Sequence, residues 1–131
     1  MRTKLTIVTV GLLLAALPAW THHFRNGFDL AKVVRLEGVV TGAELINPHV
    51  FIHLAVKNAD GSLTEWLVEG PSSTAMARMG LTKASLAAGS GLTITGYPEG
   101  TGKNIVSPAT LKLKDGKELP MPFFGPSDQR R

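Results

Sequence analysis

The sequence predicts an all-β domain, a five-stranded OB-like Greek-key barrel with one short helix between its third and fourth strands. Three observations predict it. Apolar and polar residues alternate in five separate runs, the period of half-buried strands. Clusters of Gly, Pro, Asn, Asp and Ser separate those runs. One stretch of helical spacing falls between the third run and the fourth. Strand, hairpin, short helix, strand, strand is the order of an OB-type barrel. The alternative is a small open β-sandwich.

The elements follow in order. Residues 1–21 read as a signal peptide. Arg2 and Lys4 supply a positive start, residues 5–16 are apolar but too short to span a membrane, and residues 17–21 form a cleavage region. A buried N-terminal helix or a retained anchor is the competing reading. The domain is expected over residues 22–119, about 110 residues with its tail and ordinary for one domain. It begins with a connector, residues 24–32, in which Phe24, Phe28 and Leu30 pin the chain to the barrel and Asn26-Gly27 marks a turn.

The first strand spans residues 33–45. Val34, Leu36 and Val40 face one way; Arg35, Glu37 and Thr41 face the other. Gly38 and Gly42 interrupt the inner face, as a bulge or sharp bend in a closing barrel requires.

The central hairpin covers residues 47–69, NPHVFIHLAVKNADGSLTEWLVE. Val50, Ile52, Leu54 and Val56 form its inner face. His49, Phe51, His53, Ala55 and Lys57 form the outer one. Residues 58–62 are turn-formers. Lys57 and Leu63 flank the turn on one face, so they pair and Phe51 lies opposite Glu69. Leu63, Glu65, Leu67 and Glu69 then point outward, with Thr64, Trp66 and Val68 inward. In this register His49 and His53 are diagonal neighbours of Glu69, within reach of long side chains. A slip of one residue would bury both histidines.

Gly70-Pro71 ends the hairpin. Ser72 or Ser73 caps a helix through Met79, with Ala75, Met76 and Met79 apolar and Gly80 as its stop. Thr82 caps a further turn to Leu86. Leu92, Ile94 and Gly96 alternate with Thr93, Thr95 and Tyr97 in a fourth strand. A Gly-rich loop leads to a fifth, residues 105–113, and residues 114–117 suit a hairpin turn. From Pro120 the chain is expected to be a flexible, Pro-rich tail, residues 120–131.

Composition narrows the function. The chain has 14 Lys and Arg against 10 Asp and Glu, a net +4. Without Arg2 and Lys4 the count is 12 against 10, or +2. With no basic stripe interleaved with aromatics, nucleic-acid binding is a poor fit. The absence of Cys excludes disulfides, a lipid-anchoring cysteine and thiolate metal sites. Export implies a periplasmic or secreted protein with no membrane span after cleavage.

Two chemistries remain for the site. Metal binding would use His22, His23, His49, His53 and Glu69, nitrogen and oxygen donors suited to copper, zinc or nickel. Cleavage before Trp20 would give an X-X-His start whose square-planar donor set suits Cu(II) or Ni(II), and cleavage before His22 would let the amine and ring of His22 chelate one metal with His23 beside them. On one strand the backbones of His49 and His53 are about 13 Å apart at ~3.3 Å per residue, so Glu69 or His22 would have to complete a shared site. In the simpler account His49 caps the Asn-Pro turn and His53 bonds Glu69 or Glu65. The second chemistry is an interaction module binding a protein or glycan through the outer face of the second and third strands, with Phe51, Leu67 and Glu65 as contacts. Catalysis is not expected. Ser72-Ser73 reads as a helix cap rather than a nucleophile, and a His–Glu pair alone is a weak signal.

Several short motifs stand in order along the chain: His22-His23-Phe24, Phe28-Asp29, Gly38, Asn47-Pro48-His49, Trp66-Leu67-Val68-Glu69, Pro71 and Arg78-Met79-Gly80. Leu86 and Gly89 then precede Thr93-Ile94-Thr95-Gly96. The set resembles a family of small exported bacterial proteins classed as a domain of unknown function, over nearly all of the chain after the signal. Thr21, Leu45-Ile46 and Ser90-Gly91 depart from its usual pattern. The resemblance implies the fold and export, and it brings no established activity.

Overall fold

A computed structural model describes residues 24–25 and 27–121. Eight strands and one helix follow in order: β1 (Phe24–Arg25), β2 (Phe28–Asp29), β3 (Val34–Glu44), β4 (Phe51–Lys57), β5 (Leu63–Glu69), α1 (Ser73–Arg78), β6 (Gly91–Pro98), β7 (Ile105–Leu113) and β8 (Glu118–Pro120). β3 to β7 are the five barrel strands. They bond in the order β5-β4-β3-β6-β7, and β7 returns to β5 to close the ring. The closing pair is parallel, with Leu67 beside Ile105 and Val68 beside Val106. Counted along the chain this is 3-2-1-4-5-3, the OB order, so the expected barrel is the observed one.

The core is apolar because alternation aims every second side chain inward. Val40, Ile52, Leu54, Val68, Ile94, Val106 and Leu111 are essentially without solvent contact. Close approach of backbones is bought by two glycines. A Cβ on Gly38 would strike the Ala55 carbonyl and the Leu54 side chain, and one on Gly96 would strike Ser107. At Gly96 the β6–β7 register also slips.

The helix sits where Ser72 starts it. Ser72 Oγ accepts the Ala75 N–H at 3.2 Å, the N-cap bond, and Gly80 adopts φ +83° just past the end. Met76 is the buried residue of α1 and joins the barrel core. The Asn-Pro turn is tied to this helix, because Asn47 Oδ1 accepts both Ser73 N–H and Ser73 Oγ–H at 3.1 Å. Beyond the helix Thr82 and Ser85 cap a turn reciprocally and Leu86 is buried.

Three features extend or correct the sequence reading. The connector forms a hairpin, β1 with β2, and buried Phe28 bridges to Glu99. The chain after the 114–117 turn forms β8 against β7, so Pro120 is a strand residue and Met121 is buried, its N–H bonded to the Ala109 carbonyl at 2.7 Å. Residues 122–131 lie outside the described residues. The third concerns β3. Val40 pairs with Leu54 but Gly42 pairs with His53, so Thr41 is an extra residue in a bulge. The bulge reverses the alternation. Gly42 lies beside the His53 ring, 3.9 Å from where its Cβ would be, on the outer face rather than the inner.

Candidate functional site

β4 and β5 pair in the expected register, Lys57 with Leu63 through Phe51 with Glu69. The turn explains it. Asn58 Nδ2 donates to Ser62 Oγ (2.9 Å) and Thr64 Oγ1 (2.8 Å), Asp60 Oδ1 accepts Ser62 N–H (2.9 Å), and Gly61 takes φ +86°. With the turn set, the outer face of β3, β4 and β5 is ordered in rows. Val39, Ala55 and Glu65 form one; Gly42, His53 and Leu67 the next; Glu44, Phe51 and Glu69 the third.

His53 occupies the middle of this face, with its side chain 34% exposed. Its Nδ1 lies 3.0 Å from Glu65 Oε1 and its Nε2 lies 3.1 Å from Glu44 Oε1. Carboxylate oxygens accept, so when the ring is protonated both of its nitrogens donate, one to each glutamate. The two glutamates are its opposite diagonal neighbours, one on each flanking strand. The ring therefore ties three strands together. Its pKa is raised above the ordinary value by the hydrogen bond to Glu44 first and then by that to Glu65; partial burial opposes them.

Glu44 was not singled out in the sequence, and the bulge is why. Counted from Val34 in strict alternation, Glu44 belongs to the inner face. The extra residue at Thr41 carries it outward. The available signal was the apolar set itself, which moves from even positions at Val34, Leu36 and Val40 to odd ones at Ala43 and Leu45.

The other expected site residues are placed as follows. Phe51 and Leu67 are half-buried on the outer face, and neither α1 nor the β1–β2 hairpin hides them completely. Glu65 belongs to His53. Glu69 stands opposite Phe51, and His53 bonds neither of its oxygens. His49 lies before β4 rather than in it, and its Nδ1–H donates to the Gly70 carbonyl at 3.3 Å. This bond ties His49 to the end of β5 rather than to the Asn47-Pro48 turn. His22 and His23 lie outside the described residues.

The proposed sharing of one metal by His49, His53 and Glu69 is not what the geometry offers. A metal takes the lone pair of one ring nitrogen, and on His53 each nitrogen faces a carboxylate, Nδ1 toward Glu65 and Nε2 toward Glu44. Glu44 and Glu65 sit at opposite edges of the ring, so they do not converge on one ion. Among the described residues no group of three or more His, Asp or Glu is arranged to hold a metal. Among them, too, no helix is long and apolar enough to cross a membrane.

A closed OB-type barrel, carrying an acidic and apolar outer face on its second and third strands, defines the class of protein. The chain belongs to the family described as "Family of unknown function (DUF6152)", which it matches over residues 10–107. No curated protein and no solved structure matches it.

Proposed function

We propose that this protein is an exported interaction module that engages a partner protein through the outer face of β3, β4 and β5. One observation carries the reading. Half-buried Phe51 lies in a row with Glu44 and Glu69, half-buried Leu67 in the next with His53, and Glu65 one row further, so apolar surface is framed by three carboxylates and one imidazole. The face is net negative. It suits a segment that presents basic side chains around an apolar anchor, because complementary charge steers encounter while apolar contact holds the complex. The strand-two and strand-three face is also the surface that OB-type barrels commonly use.

The test is site-specific photo-crosslinking in cells, with the reactive side chain at position 51 or 67 and a control at exposed Lys112. A discrete adduct from 51 and 67, absent from 112 and abolished by Glu65→Lys, is expected. Adducts of equal yield at all three positions would sink the reading. Export is checked in the same cells by intact mass, which should show loss of the first 19 or 21 residues.

A second reading rests on the sequence around His22 and His23, where cleavage would leave a free amine beside imidazole donors for Cu(II) or zinc. Unchanged Cu(II) affinity in His22→Ala would end it.

A further inference from the structure

The end of the barrel where β3 begins carries a cleft of about 380 Å³, separate from the outer face just described. Asp29, Lys32, Trp66, Thr101, Lys103 and Asn104 line it. Its volume is at the lower end of the ~300–1,000 Å³ typical of small-molecule sites.

Trp66 was expected inside the barrel, and it does pack against the core while remaining half-buried. Its indole N–H makes no hydrogen bond among the described residues. Yet no buried side-chain nitrogen or oxygen lacks a partner there, so the N–H is open to solvent. Asn104 is similar. Its carbonyl accepts Leu67 N–H at 2.9 Å, which fixes the backbone, while its exposed side-chain amide has no partner among the described residues.

The loop over the cleft is already shaped. Glu99 Oε2 accepts Thr101 N–H at 2.8 Å, Thr101 Oγ–H at 2.6 Å and Lys103 N–H at 3.4 Å. Gly100 N–H donates to the Gly27 carbonyl and Glu99 N–H to the Ile105 carbonyl, both at 2.8 Å. A ligand arriving here has little ordering cost to meet.

The charges then limit the ligand. Asp29 and Glu99 balance Lys32 and Lys103. Glu99 is engaged by the loop through Oε2 alone, and Asp29 Oδ1 accepts Ala31 N–H at 3.0 Å. Asp29 Oδ2 has only Lys32 Nζ, at 3.7 Å. The cleft thus offers an aromatic surface, under-used acceptors at Asp29 Oδ2 and Glu99 Oε1 and several open donors, with no net charge. A strongly anionic ligand would meet the Asp29 carboxylate with no compensating excess of positive charge. A wholly apolar one would cover polar groups without replacing their water.

We infer that the cleft binds a neutral pyranose unit of an oligosaccharide. The C–H face of the ring covers the Trp66 indole. Its hydroxyls donate to Asp29 Oδ2 and accept from Asn104, Lys103 and the indole N–H. The loop concerned joins the fourth and fifth barrel strands, one of the two loops OB-type barrels use to hold oligosaccharides.

The full chain has two tryptophans, so Trp20→Phe leaves Trp66 as the sole indole. That protein is titrated with trisaccharides of glucose, galactose, mannose and N-acetylglucosamine while indole emission is recorded. At least one should give a saturable change with a Kd of about 1 mM or tighter. Asn104→Ala and Lys103→Ala, both at exposed positions, should each weaken it about five- to tenfold, the loss of one hydrogen bond, with far-UV circular dichroism unchanged. No saturation by any of the four, binding only of a galacturonate trisaccharide, or undiminished affinity in both variants would overturn the inference.

Discussion

The two faces of β4 are built on opposite principles. Inward, Ile52 and Leu54 are completely buried and meet Val68 and Trp66 from β5. Outward, Phe51 is half-covered and His53 is held by two glutamates. The inner face derives its energy from apolar area and close packing, which do not depend on pH. The outer face derives its order from charge-assisted hydrogen bonds at exposed groups, which contribute little to stability but fix geometry. The strand teaches that one face can carry charged and half-covered side chains because the other holds the fold.

The sharpest test of that division is Leu54→Ala. Loss of a fully buried leucine should cost about 2–5 kcal/mol in urea unfolding, the range for cavities left in cores. Gly38→Ala should follow at about 1–3 kcal/mol, since the new Cβ meets the Ala55 carbonyl and Leu54 and neither side can easily retreat. Phe51→Ala should cost only about 1 kcal/mol, roughly half the value of a fully buried side chain, while removing the crosslinked adduct. A Phe51→Ala loss as large as that of Leu54→Ala would erase the distinction between the faces.

His53→Gln should be smaller still, under about 1 kcal/mol, as for other exposed ion pairs. Its sign against pH is defined. The folded pKa is raised, so the stabilising effect is fully present below the unfolded value of about 6.5 and is lost as pH rises through the folded value. The difference in Tm between wild type and His53→Gln should therefore be greatest near pH 5.5 to 6 and shrink toward pH 9. The finest distinction is between the two carboxylates. NMR titration of His53 should show a larger fall in pKa in Glu44→Gln than in Glu65→Gln, because the Glu44 bond is the leading cause of the shift. Equal falls would mean that the ring is shared evenly.

Much of this was legible in the residues. The alternation of Val50, Ile52, Leu54 and Val56, together with the turn chemistry of Asn58, Asp60 and Gly61, was enough to set the hairpin register to the residue. Ser72 and Gly80 were enough to bound the helix. These are local rules: side-chain period, turn conformation and capping act over a few residues, so a linear sequence displays them. Gly38 was readable as a special position, although the Ala55 carbonyl that requires it came only with the fold.

Tertiary structure decided the rest. Whether Glu44 points in or out depends on one extra residue at Thr41, and a bulge is defined only against the partner strand that skips it. For the same reason His53 found Glu44 and Glu65 rather than Glu69, and His49 fell outside its strand onto the Gly70 carbonyl. Trp66 shares its cleft with Asp29 and the loop after β6 because β7 closes the ring beside β5, bringing together segments more than thirty residues apart in the chain. Periodicity states which side of its own strand a residue occupies. Only the closed barrel states what stands beside it.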